Sequence, residues 1–247
     1  MTDGKTLQKM MAYARRAIEK YNMIGENDII AVGVSGGKDS LALLCALNGL
    51  SKYLPQHFSL VPIVLKTGLP NEDVSPVFEL CETMGLTPVC GETDIYEIVF
   101  ESRKEKCPCS LCANMRRGAL HRIAKEHNCT KLALGHHFDD AVETMIMNLF
   151  LDGRFDCFRP VTYLSRRDIT VIRPMIYAKE KEIARFIRAS GIRTVAKNCP
   201  ADGYTKREEV KKTLAQLEKS DRGIKTKLFG AIEKGIFDVP QEIPEKH

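Results

Sequence analysis

The run Ser35-Gly36-Gly37-Lys38-Asp39-Ser40 constrains this chain more than any other stretch. It follows Ile29-Ile30-Ala31-Val32-Gly33-Val34, an apolar run that reads as a buried strand. It precedes Leu41, Leu43, Leu44 and Leu47, spaced as the buried stripe of a helix. A strand, a tight glycine turn and a helix start make an anion site, because unpaired N–H groups and the positive helix end converge on one spot. Gly36 and Gly37 let the backbone close around phosphate without a Cβ in the way. Ser35 and Ser40 add hydroxyl donors, and Lys38 adds a positive charge. Spacing excludes two neighbouring motifs. A Walker A loop needs Gly-Lys followed by Ser or Thr, but Asp39 follows the lysine. Gly33, Gly36 and Gly37 do not form the Gly-x-Gly-x-x-Gly of a dinucleotide fingerprint.

A chain of 247 residues with 44% hydrophobic content supports one large α/β domain, or one domain with a small appendage. No run approaches the ~20 apolar residues of a membrane span, so no membrane association is expected. The segment from Met1 to Lys5 lacks the apolar stretch of a secretory signal. Nine cysteines then argue for free thiols or metal ligands rather than disulfides, and for a reducing cytoplasm. The net charge of +5 is modest. The basic residues cluster, however, at Arg15-Arg16, Arg116-Arg117, Arg166-Arg167, Lys179 to Arg193, and Lys206-Arg207 with Lys211-Lys212. Each cluster alone reads as a solvated helix face. Several of them around a nucleotide site point to an RNA substrate.

Along the chain, helices are expected at Thr6–Tyr21, from the loop to Gly49, and at Asn71–Met84, Ser110–His127, Asp139–Phe150 and Lys179–Ala189. Two more fall near Glu208–Leu217 and Ile224–Ile232, and Ile95–Phe100 reads as a helical turn. Strands are expected at Ile29–Val34, Phe58–Leu65, Thr87–Cys90, Lys131–Leu134 and Ile169–Ile172. Pro62 inside the second marks an edge or a bulge. Leu111, Met115, Ala119 and Ile123 form the expected buried stripe of one helix; Val142, Met145, Ile146 and Leu149 form that of the next. Strands alternating with helices make an α/β fold, a doubly wound and mostly parallel sheet with helices on both faces. Ligands of such sheets bind beyond the carboxyl ends of the strands. That rim would carry both the glycine loop and Gly135-His136-His137.

Cys107-Pro108-Cys109-Ser110-Leu111-Cys112 is the second strong signal. Cys109 and Cys112, at i and i+3 on an opening helical turn, can aim both sulfurs at one point, and the helix start favours thiolate. The pair alone has three readings: half a zinc site, a redox dithiol, or an iron–sulfur anchor. Cys199 is a distant candidate third ligand and Cys107 an awkward fourth. Arg116 lies one turn past Cys112, where a cation could steady bound sulfide or phosphate; an arginine pairing with solvent is the alternative. Cys45, Cys81, Cys90 and Cys129 sit in apolar contexts and read as small core residues. In His136-His137-Phe138-Asp139-Asp140, Asp139 can serve as a helix N-cap. Two acids beside a triphosphate can also hold magnesium or position a nucleophile.

The glycine loop resembles the PP-loop of the ATP pyrophosphatase superfamily, whose members cleave ATP between its α and β phosphates. Together with the C-x-x-C helix, Gly135-His136-His137-x-Asp139-Asp140 and Arg173-Pro174, it resembles the tRNA 2-thiocytidine synthetase family over roughly residues 5–235. The resemblance implies a PP-loop α/β domain over 26–196 with the C-x-x-C helix inserted, an N-terminal helix over 1–25, and a helical extension over 197–247 carrying Cys199. It implies ATP and Mg²⁺ at Ser35, Gly36, Gly37, Lys38, Asp39, Ser40, Gly135 and His136, with Lys38, Arg116, Asp139 and Asp140 serving the chemistry. Cys109, Cys112 and Cys199 would hold a 4Fe–4S cluster. The implied reaction adenylates the C2 oxygen of an anticodon-loop cytidine of tRNA, and sulfide displaces AMP. A sulfur donor, such as a cysteine desulfurase or free sulfide, and a homodimer are further implied. One departure is Lys66, where the family commonly carries an acid. Two other activities share the loop: AMP-forming ligation of an amine to tRNA, and nucleotide binding without catalysis.

Overall fold

The computed structural model describes residues 3–70, 72–103, 108–196 and 206–240. Its strands are β1 (Asp28–Gly33), β2 (Phe58–Lys66), β3 (Val89–Glu92), β4 (Lys131–Ala133), β5 (Val161–Leu164) and β6 (Ile169–Ile172). Its helices are α1 (Gly4–Tyr21), α2 (Lys38–Leu50), α3 (Ser75–Thr83), α4 (Pro108–Glu126), α5 (Phe138–Asp152), α6 (Glu180–Ala189), α7 (Lys206–Ser220) and α8 (Ile224–Ile232). The strands form one sheet in the order β3-β2-β1-β4-β6-β5. All neighbours are parallel except β5, which runs antiparallel to β6. The chain winds outward from β1 in one direction and from β4 in the other. The crevice beyond their carboxyl ends is therefore the switch point where such sheets bind ligands.

Alternation along the strands builds a core on each face. Ile30, Val32, Val34, Val64, Ala133 and Ile172 pack into the larger one, with buried residues of α1, α2, α3, α5, α6, α7 and α8. Ala31, Ile63, Leu132 and Val171 point the other way, against Ile123 and Ala124 of α4. Helix α2 lies deep in the larger core. Every residue from Ser40 to Leu47 is buried, so the expected single stripe of leucines is instead a helix covered on all sides. Leu41, Leu43, Leu44 and Leu47 are fully buried, each contributing about 2 kcal/mol by removal from water.

Pro62 sits in β2 opposite Val32 of β1. The Ile63 carbonyl accepts from Val34 on the β1 side, so the preceding Pro62 nitrogen faces the other way. There β3 begins pairing only at Ile63, and the missing N–H deprives no ladder, as expected of an edge position. Other expectations need correction. Strand β5 was not expected: Val161–Leu164 is short, and its link to β6 lacks a glycine signal because Asp168 itself takes the left-handed turn position (φ 48°). Helix α3 starts at Ser75 rather than Asn71, which lies outside the described residues. Cys45, Cys81 and Cys129 are buried, but Cys90 is exposed because β3 is an edge strand.

Helix α4 runs antiparallel to the strands. Lys125 near its end reaches Asp168 at the start of β6, whereas Leu120 already touches the space above Gly33, the last residue of β1. The turns before Leu120 therefore rise past the carboxyl rim. At 1.5 Å per residue, Cys109 stands about 16 Å further along the helix than Leu120. This explains why, of the expected stripe, only Ile123 is buried while Leu111, Met115 and Ala119 are partly exposed. On α5, Val142, Met145 and Ile146 are buried as expected, but Leu149 is 41% exposed near the helix end.

Candidate active site

The glycine loop joins β1 to α2 at the switch point. Gly36 has φ +75°, and a Cβ there would lie 2.2 Å from Val195 Cγ2; only glycine meets both demands. The Val195 N–H donates to the Gly36 carbonyl at 3.0 Å. The loop is braced internally: the Ser35 N–H donates to Ser40 Oγ (3.2 Å), and Ser40 Oγ donates to the Gly37 carbonyl (3.0 Å). Gly37 is the N-cap of α2 and has no side chain to cap it. The first amides of the helix are left to an external anion. Lys38 Nζ lies 3.0 Å from Asp39 Oδ2 and 3.1 Å from Glu180 Oε1 at the start of α6. Burial works against the Glu180 carboxylate, but Lys211 and Lys38 hold its pKa down to about 2.

The turn after β4 closes on this loop. A Cβ on Gly135 would lie 3.0 Å from the backbone of Asp39, so a glycine lets the two segments touch. Adjacent histidines diverge here. The His136 ring packs against Phe158 at a tilt of 38° (centroids 4.8 Å apart). Burial, with Arg173 and Arg207 nearby, lowers its pKa to about 3; the ring is neutral, and its Nδ1 has no hydrogen-bond partner. His137, not Asp139, is the N-cap of α5. Its Nδ1 accepts from the Asp140 N–H, and its own N–H donates to Asp140 Oδ2 at 3.0 Å. Accepting at Nδ1 places the ring proton on Nε2, which faces Asp39 Oδ1 at 3.5 Å and Asp140 Oδ2 at 3.4 Å.

The two neighbouring acids differ. Asp139 is buried, accepting from the Glu180 N–H (2.8 Å) and pairing with Lys225 Nζ (2.8 Å); it ties α5 to α6 and α8. Asp140 faces His137 and lies 3.5 Å from Arg207 of α7. Asp39 Oδ1 is buried without a hydrogen-bond partner, an oxygen suited to a hard cation. Among the described residues no three metal-ligating side chains gather. Asp39 and Asp140 would hold Mg²⁺ only with phosphate oxygens completing the shell.

Cys109 is exposed and Cys112 half-buried on the first turn of α4, and Arg116 one turn later has a buried Nε without a partner. Cys199 and Cys107 lie outside the described residues. The chain enters and leaves that segment at the site, with Val195 against Gly36 and with Arg207 against Asp140, Thr144 and Glu143. Lys66 pairs with Glu92 at 3.4 Å on the surface. The carboxylate at that end of β2 is instead Glu72, which accepts from the Thr67 N–H (2.7 Å) and hydroxyl.

Residues 9–218 match the family model described as a PP-loop domain. Over 233 residues, 93% of this chain and 91% of the relative, the sequence is 36% identical to the tRNA-cytidine(32) 2-sulfurtransferase of Geobacter sulfurreducens. The chain belongs to this family of PP-loop proteins. The tRNA-cytidine(32) 2-sulfurtransferase of Geotalea daltonii is 39% identical over 220 residues, 88% of this chain and 87% of that one. Among solved structures, the U34-tRNA thiolase NcsA of Methanococcus maripaludis, with its 4Fe–4S cluster, superposes with a TM-score of 0.78. It is 22% identical, covering 95% of this chain and 80% of that one, and shares the fold.

Membership of the sulfurtransferase family bears out the resemblance drawn from the glycine loop and the C-x-x-C helix. Sequence reasoning missed four members of the site: Glu180, Glu143, Phe158 and Glu72. Each is brought in by tertiary packing and carries no local pattern. Arg207 had a signal as part of a basic cluster, but its contacts with α5 had none. Among the described residues no helix is long and apolar enough to cross a membrane.

Proposed function

We propose that this chain is an ATP-dependent, AMP-forming tRNA sulfurtransferase that replaces the C2 oxygen of cytidine 32 with sulfur. The observation that carries the reading is the shared rim: the glycine loop, Asp39, His137 and Asp140 meet beyond β1 and β4, and the Cys109–Cys112 turn of α4 rises beyond the same edge. The loop amides, the Ser35 and Ser40 hydroxyls and Lys38 bind the triphosphate, and Lys38 exchanges Glu180 for phosphate oxygens. Asp39 and Asp140 would hold Mg²⁺, which would supply positive charge opposite the pyrophosphate. The cytidine C2 oxygen attacks the α-phosphorus, and the α–β bond breaks. Hydrosulfide then attacks C2, and AMP leaves with the original oxygen. Cys109, Cys112 and Cys199 would hold a 4Fe–4S cluster, which would supply a binding place for sulfide. Arg116 Nε donates to an anion beside that turn. Asp139 positions Asp140 through its ties to α6 and α8. A cytoplasmic setting, a sulfur donor such as a cysteine desulfurase or free sulfide, and a homodimer complete the reading.

Anaerobically reconstituted protein given ATP, Mg²⁺, sulfide and unmodified tRNA tests it. AMP, pyrophosphate and 2-thiocytidine should form together and require all three substrates. AMP release with tRNA and an amine, with no thionucleoside, would overturn the reading.

A further inference from the structure

The β5–β6 hairpin and α4 enclose a groove of about 730 Å³. Its lining brings together Arg117 of α4, Arg166 and Arg167 of the hairpin turn, and Arg173 just after β6. Arginines that lie far apart in sequence thus face one space, and no carboxylate lines it. Arginine ion pairs among the described residues involve Arg15, Arg122, Arg154, Arg193 and Arg207; none of the four groove arginines is among them. Asp168, the nearest acid in sequence, is engaged by Lys125 and by the Tyr163 hydroxyl.

The charge is concentrated enough to be felt inside the wall. His121, buried on α4, has its pKa lowered by burial and then by Arg167 and Arg117. Arg173 keeps its Nε buried and without a partner, while its Nη1 donates to the Arg159 carbonyl at 2.6 Å. Arg117 donates to Asn114 and Arg173 to Thr162, both neutral partners, so four guanidiniums share one cavity that no carboxylate lines, at a cost in mutual repulsion that a polyanion would relieve. The groove also leads somewhere. Its Arg173 end lies 5.0 Å from the Phe158 ring that packs against His136, beside the turn that closes on the ATP loop.

We propose that this groove binds the sugar–phosphate backbone of the substrate tRNA, with Arg117, Arg166 and Arg167 on phosphates, and so presents the target base to the rim. The assignment rests on the tRNA-thiolating function above. Arg166 and Arg167 are exposed in a four-residue turn, so replacing them leaves the fold intact.

The test is tRNA binding by the full chain across 50–200 mM salt, comparing the parent with R166E/R167E, R166K/R167K and R15E/K52E. The last pair lies on the α1–α2 side of the sheet, away from α4, and matches the change in charge. ATP affinity and cluster absorbance are measured alongside. R166E/R167E should bind tRNA about tenfold or more weakly, with a log–log salt slope shallower by roughly 1.5. The lysine pair should keep most of the affinity, R15E/K52E nearly all of it, and ATP binding should be unchanged throughout. If the parent binds tRNA and R166E/R167E binds equally well, or R15E/K52E loses as much, the groove assignment is wrong and the thiolase reading stands. If the parent binds ATP but no tRNA, both fall.

Discussion

The Val195 N–H donates to the Gly36 carbonyl at 3.0 Å, and the Val195 side chain fills the space that a Cβ at Gly36 would need. Val195 is therefore latched to the phosphate loop itself.

Gly36→Ala should break that latch twice over. The left-handed φ costs about 1–2 kcal/mol for a residue with a Cβ, and the clash with Val195 adds to it. Chemical denaturation should show the loss, and ATP affinity should fall about tenfold or more. Adding Val195→Gly, which removes both the Cγ2 and the Cβ that lie 2.2 and 2.6 Å from the new methyl, should recover the steric part of the stability but not the conformational part. A single Gly36→Ala protein with parental stability and ATP affinity would show that the loop tolerates the change.

Asp139 and Asp140 should separate cleanly. Asp139→Ala strands Lys225 and the Glu180 N–H, and should lower stability by about 2–3 kcal/mol. Asp140→Asn keeps an acceptor for the His137 N–H and should melt near the parent, yet lose most ATP turnover. Thermal melts with pyrophosphate assays distinguish the two; equal melting points would contradict the division of roles.

Glu143 gives a pH signature. Burial, reinforced by Asp140 and Glu180, lifts its carboxyl to about 7 against the restraint of Lys211 and Arg207. Between its ordinary value of 4.5 and 7 the folded chain holds a proton that the unfolded chain has released, so stability falls as pH rises through that window. His136, lowered to about 3, acts with the opposite sign between 3 and its ordinary 6.5: there the unfolded chain holds the extra proton, and stability is lost as pH falls. The two slopes offset each other where the windows overlap. Glu143→Gln should remove one of them. Its stability relative to the parent should be near zero at pH 4 and rise to about 1–3 kcal/mol by pH 8. Denaturation across that range reads the difference; a flat difference would place the Glu143 pKa at its ordinary value.

The loop, the order of most elements and the shared rim were legible because they are local. A β-branched run, two glycines and a leucine pattern need no distant partner to be read. The hairpin turn was not legible, since Asp168 rather than glycine takes the left-handed position. The environment of Lys38 was hidden for a different reason. Glu180 meets it across the sheet's rim only because Asp139 caps α6. The contacts of Val195 with Gly36 and of Arg207 with α5 likewise exist only in three dimensions.

The cysteines divide by place. Cys109→Ala, Cys112→Ala and Cys199→Ala should each abolish iron retention after anaerobic reconstitution. Cys45→Ala and Cys129→Ala, which alter buried thiols of the core, should keep iron and lose only packing stability. Iron and sulfide content with visible absorbance reads this out. Full iron in Cys199→Ala would remove it from the ligand set.

The most direct measurement is mass analysis of tRNA nucleosides from cells with and without this protein. Loss of 2-thiocytidine on deletion, restored by the parent chain but by neither Lys38→Ala nor Cys199→Ala, is the expected result. An unchanged 2-thiocytidine level in the deletion strain would contradict the assignment.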